Sequence, residues 1–84
     1  MLDLNKIPNS EKAALIKIYE EYLAAVKKYP PFTSHYEAYA VIQEELGETW
    51  NVIVNHNQPW AGRDAMKYEI KAVGAMVLRF MVEL

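Results

Sequence analysis

The chain has 84 residues and a formal net charge of −2; it contains no cysteine and is 52% apolar, with two tryptophans, six tyrosines and two phenylalanines. The absence of cysteine excludes a disulfide scaffold and a cysteine-based zinc site. The dispersed basic residues lack the stripe of a nucleic-acid binder, and no apolar run has the length of a membrane span. Met1-Leu-Asp-Leu4 is unlike a signal peptide, so the expectation is one soluble, cytoplasmic domain over residues 1–84, with neither nucleic acid nor membrane as partner. A chain this short buries only about 60% of the surface its unfolded form exposes. So many apolar side chains therefore predict self-association, as a homodimer or homotetramer.

Two interruptions divide the chain into three helical segments. Pro30-Pro31 cannot lie inside a helix, because proline lacks the N–H and clashes with the preceding turn. Asn55-His56-Asn57-Gln58-Pro59 is a cluster of turn formers. The first helix is predicted to begin near Asn9 or Ser10, with Ser10 as N-cap and Glu11 at the positive end of the dipole. Leu15, Ile18, Tyr19, Tyr22 and Val26 recur at helical spacing, and Lys27 and Lys28 suit its C-terminal end. The second starts after Thr33 or Ser34, where Ser34 and Glu37 have capping-box spacing, and runs to about Val54 across the mild weakness of Gly47. The third starts at about Gly62 to Asp64 and continues almost to Leu84. The predicted fold is all-α: two long antiparallel helices plus an N-terminal helix, completing a four-helix-type bundle by oligomerisation.

At about 100° per residue, Ala38, Tyr39, Val41, Ile42, Leu46, Trp50, Val52 and Ile53 share one broad apolar arc of the second helix. Glu45 and Glu48 fall within that arc or at its edge, while Glu37 and Glu44 lie toward the polar flank. On the third helix, Glu69 lies in the middle of a stripe of Gly62, Ala65, Ala72, Val73, Met76 and Phe80. Three carboxylates thus point where an amphipathic helix carries leucines. A buried carboxylate must be neutralised, paired with a cation or bound to a metal. Glu45 and Glu48, three residues apart, are neighbours on one face. With Glu69 from the facing helix they make a hard-oxygen set suited to Mg²⁺ or Mn²⁺, and a polyphosphate is the natural ligand of such a site. The competing arrangement pairs these glutamates with Lys67, Lys71 or Arg79. His35 and His56 lack partners at ligand spacing and are expected on the surface. Tyr39, Trp50 and Met76 are expected in the core, and Trp60 either covers the bundle end or stacks on a base.

Tyr29-Pro-Pro-Phe-Thr-Ser34 followed by Glu37-Ala-Tyr-Ala-Val-Ile-Gln-Glu-Glu-Leu-Gly-Glu-Thr-Trp50 resembles short phage and prophage proteins of Gram-positive bacteria. Those look like minimal MazG-like all-α nucleoside triphosphate pyrophosphohydrolases. Tyr68-Glu-Ile-Lys-Ala-Val-Gly-Ala-Met-Val-Leu-Arg-Phe80 is similar to their last helix. The resemblance covers about residues 29–56 and 63–83, some three fifths of the chain. It implies a metal-binding E-x-x-E pair on one helix and E-x-x-D on the next, with cleavage of a nucleoside triphosphate to the monophosphate and pyrophosphate. Glu45 and Glu48 match the first pair, Glu44 matches an acidic residue that often precedes it, and Glu69 matches the start of the second. Ala72 stands where that pair's aspartate is expected. The resulting expectation gives metal binding to Glu45, Glu48 and Glu69 and orientation of water to Glu44 or Glu48. Substrate contact falls to Lys67, Lys71 and Trp60, with Arg63 a further cation nearby. The rival expectation is a helical interaction module that has kept the bundle and lost turnover.

Overall fold

The computed structural model describes residues 2–84. A 3-10 turn, Leu4–Lys6, precedes three helices: α1 (Asn9–Lys28), α2 (His35–Val54) and α3 (Arg63–Glu83). Among the described residues no helix is long and apolar enough to cross a membrane.

Local chemistry sets each boundary. Helix α1 begins at Asn9 with Pro8 in the cap position, so Ser10 is inside the helix and not its cap. Pro8, with φ of −54°, already has the helical value of that angle, and its carbonyl accepts the Lys12 N–H at 2.9 Å. Ser34 caps α2 as expected, its hydroxyl accepting the Glu37 N–H at 3.1 Å. The Glu37 carboxylate turns to the Thr33 hydroxyl instead of closing the reciprocal half of a capping box. Between α2 and α3, Gln58 N–H reaches the Asn55 carbonyl at 2.8 Å and Ala61 N–H reaches the Gln58 carbonyl at 3.1 Å. These two tight turns reverse the chain.

Helix α3 is the central rod and packs against both α2 and α1. The His35 ring lies tilted beside that of Phe80, 5.7 Å between centroids, at one end of the α2–α3 pair, and Glu45 meets Glu69 farther along, so the two helices run antiparallel. Phe32, Ala38, Ala75 and Met76 form the buried cluster, with Tyr22, Ala25, Val41, Ile42 and Phe80 packed around it. Helix α1 crosses α3 at Gly74, where a Cβ would sit 3.2 Å from Ile18 Cγ2, so a larger residue there would require the Ile18 side chain to give by a few tenths of an ångström.

Met76 is buried as expected, but Tyr39 and Trp50 are not core residues; each is mostly exposed. Leu46 and Ile53 of the same arc, and Leu15, Tyr19 and Val26 of α1, are exposed too. The arc on α2 is wider than one helix contact, and within a single chain α3 is the main element against which α2 packs. Ala38, Thr49 and Val52 are buried and Val41 and Ile42 pack against the buried cluster, while Tyr39, Leu46, Trp50 and Ile53 face outward. No residue of α1 is buried.

Candidate metal centre

The expected convergence of Glu45, Glu48 and Glu69 is present. One carboxylate oxygen from each lies within 4.8 Å of the other two, with Glu45 and Glu69 half-buried and Glu48 exposed. The i,i+3 spacing of the α2 pair puts them on adjacent turns of one face, and the antiparallel register of α3 brings Glu69 opposite. The Thr49 hydroxyl, itself buried, donates to the Glu45 carbonyl at 3.0 Å.

Among the described residues the ion pairs are Lys71 with Glu21 at 3.5 Å and Arg79 with Glu83 at 2.9 Å. The cations expected to neutralise the trio are therefore engaged elsewhere, or in the case of Lys67 exposed and out of ion-pair range. Two unit charges at such a separation repel by roughly 3 to 4 kcal/mol at an effective dielectric of 20 and by about 1 kcal/mol in bulk water. Burial first, then Glu48, and behind it Glu69 and Glu44, push the Glu45 carboxyl above its ordinary value of 4.5. The donor set is all hard oxygen, with no sulfur or imidazole, and it fits Mg²⁺ or Mn²⁺ in preference to zinc.

A cavity of about 540 Å³ opens beside the trio, between α1 and α2 and floored by α3. Glu45 is common to both, and Glu44, Glu37 and Ala72 share its wall. Glu21 and Lys28 of α1 line it as well, and neither was singled out in the sequence. Glu21 had a legible signal, since it lies between Ile18 and Tyr22 on the inward half of α1. Lys28 reads in the sequence only as a charge at a helix C-terminus. Its ammonium lies 5.2 Å from the centroid of the Tyr29 ring.

Lys67 and Lys71 lie on a different groove, between the first half of α1 and α3, of about 570 Å³ and lined also by Ala13, Lys17 and Gly74. Trp60 is exposed in the loop before α3, and His35 and His56 are exposed as expected. The His56 ring nitrogen approaches the Ile53 carbonyl at 3.1 Å. Arg63 and Asp64 open α3 on its exposed side.

The fold and site together define an all-helical three-helix chain with a carboxylate trio capable of holding a cation. Compared with protein-family models, curated proteins and solved structures, the chain matches none.

Proposed function

We propose that the chain is a metal-dependent nucleoside triphosphate pyrophosphohydrolase of MazG-like type, acting as a homo-oligomer. The support is the meeting of three carboxylates from two helices within 4.8 Å, with no lysine or arginine against them. Glu45, Glu48 and Glu69 would hold Mg²⁺ or Mn²⁺, and that cation would offset their charge and polarise phosphoryl oxygens. Glu44 on the cavity wall and the exposed Glu48 of the trio are the carboxylates available to orient water and accept its proton. The water oxygen bonds to a phosphorus of the triphosphate, the bridging P–O bond breaks, and pyrophosphate leaves. Of the residues expected to contact substrate, Lys67 and Lys71 line the other groove and Trp60 belongs to the loop before α3, so Lys28, which shares the cavity with Glu45, is the cation we assign to the triphosphate.

Ala72 lines the same cavity where a fourth carboxylate is expected, and that observation favours a second reading, an interaction module of the same fold without turnover. Thermal unfolding separates the two. At about 100 times Kd a ligand of the folded state adds roughly 2.7 kcal/mol, which moves the melting temperature of so small a domain by many degrees. The hydrolase reading expects a shift with Mn²⁺ that a non-hydrolysable nucleoside triphosphate enlarges and Glu45→Gln abolishes, with pyrophosphate release from the natural substrate. A metal shift without pyrophosphate release favours the module, and no shift with either ligand removes the metal site altogether.

A further inference from the structure

Helix α2 carries two apolar faces that serve different contacts. Ala38, Thr49 and Val52 are its buried residues, Ala38 within the cluster that Ala75 and Met76 of α3 complete. Tyr36, Tyr39, Leu46, Trp50 and Ile53 recur every three or four residues along a second line, interrupted only by Gln43, and all five are exposed. On a helical wheel this line is centred about 130° from Glu45, and no charged side chain falls on it. We propose that this stripe is the face on which a second copy of the chain docks, α2 against α2.

Three quantities point to a second copy. The accessible surface is 6610 Å², whereas a compact monomer of this mass exposes about 5,100 Å². The excess of about 1,500 Å² per chain, or about 3,000 Å² for a pair, is what an obligate homodimer buries. The radius of gyration, 14.2 Å, likewise exceeds the roughly 12 Å of a compact domain of this length. Finally, Tyr36, Tyr39 and Trp50 are 88%, 64% and 64% exposed. At roughly 200 Å² for a whole aromatic side chain, these three alone offer on the order of 430 Å², about half of one partner's share in a standard interface.

The pattern is also self-complementary. A two-fold interface presents the same patch to itself, which forbids like charges at its centre, and an uncharged aromatic and aliphatic line satisfies that condition. Nucleic acid or an anionic membrane surface calls for cations there, and none is present. Two copies meeting along α2 bring the two α2–α3 pairs into one four-helix layer. The carboxylate trio lies on another side of α2, so each copy keeps its own cluster open to the cavity. Pairing on this face is independent of whether the trio turns over a nucleotide.

Sedimentation velocity on the full chain tests this, read with circular dichroism. The expected mass is at least twice 9.7 kDa, falling to that of one chain when Leu46→Glu and Trp50→Glu are combined. The dissociation constant should rise by about a hundredfold or more. Because an isolated copy could lose helix, a second measurement stands beside it. The chain has no cysteine, so Gln43→Cys in the stripe should cross-link two copies under mild oxidation, and Asn51→Cys on the polar face should not. A monomeric wild type, association untouched by the two glutamates, or equal cross-linking at both cysteines would overturn the proposal. The last two results would give the contact to the exposed side of α1.

Discussion

Arg79 and Glu83, one turn apart on α3, together hold the corner between α1 and α2. Arg79 Nε donates to Glu83 Oε2 at 2.9 Å and its Nη2 to the Pro30 carbonyl at 2.8 Å. Glu83 Oε1 accepts the Phe32 N–H at 2.8 Å, and the guanidinium lies 4.1 Å from the centroid of the Phe32 ring. Arg79 is only 3% exposed, so its charge is stable there because every strong partner is in place.

Removing one member of so buried a pair costs about 3 to 5 kcal/mol. Arg79→Met is expected to destabilise by about that amount in urea melts near neutral pH, and Glu83→Gln by less, because an amide oxygen can still accept from Phe32. The hydrogen bond from Arg79, helped by that from Phe32, holds the Glu83 carboxyl below 4.5. Its contribution is therefore fully present above pH 4.5 and is lost as pH falls through the lower folded value. Wild type should lose stability on that acid side more steeply than Arg79→Met.

Glu45 predicts the opposite sign. Its folded value is raised above 4.5, so between 4.5 and the raised value the folded chain holds more protons than the unfolded one. Metal-free stability falls as pH rises through that window, and near neutrality the charged form is a burden. Glu45→Gln should accordingly melt higher than wild type in the presence of a chelator, by on the order of a degree or more. With saturating Mn²⁺ the order should invert. A Glu45→Gln variant that melts lower under both conditions would mean that its carboxylate is held by a partner other than a cation.

Ala72→Asp is the complementary experiment. Position 72 is half-buried on the cavity wall shared with Glu45. A fourth carboxylate should tighten Mn²⁺ binding by about tenfold, since ligand charge tunes affinity, and should lower metal-free stability by adding to the repulsion. Calorimetric titration measures the first effect and thermal melts in chelator the second.

Gly74 and Ile18 should couple. Alanine in place of a helical glycine gains about 1 kcal/mol, but here the new Cβ meets three Ile18 side-chain atoms at 3.2 to 3.3 Å. Gly74→Ala is expected to be near neutral or destabilising alone and to recover most of that gain in an Ile18→Ala background. A double-mutant cycle would read this as an interaction on the order of 1 kcal/mol.

What was legible in the sequence was what depends on near neighbours. Pro30-Pro31, the Asn55–Pro59 cluster and the Ser34 cap mark boundaries because each acts within one turn. The meeting of Glu45, Glu48 and Glu69 was legible because a three-residue spacing fixes one pair and an antiparallel partner supplies the third. Tyr39 and Trp50 misled because periodicity shows that a face is apolar without showing which partner covers it. The Arg79 clamp left as its only local sign the i,i+4 spacing of Arg79 and Glu83, since what the pair holds lies 49 residues earlier at Pro30 and, through Glu83, 51 residues earlier at Phe32.

Those separations bear on the order in which the molecule is assembled. The α1–α2 corner is stiffened by its prolines but oriented by side chains made some fifty residues afterwards. Closing so long a loop carries an entropic cost before any contact rewards it. The angle between α1 and α2 should therefore be among the last features to settle, with Phe32 protected from solvent only once the far turn of α3 has formed.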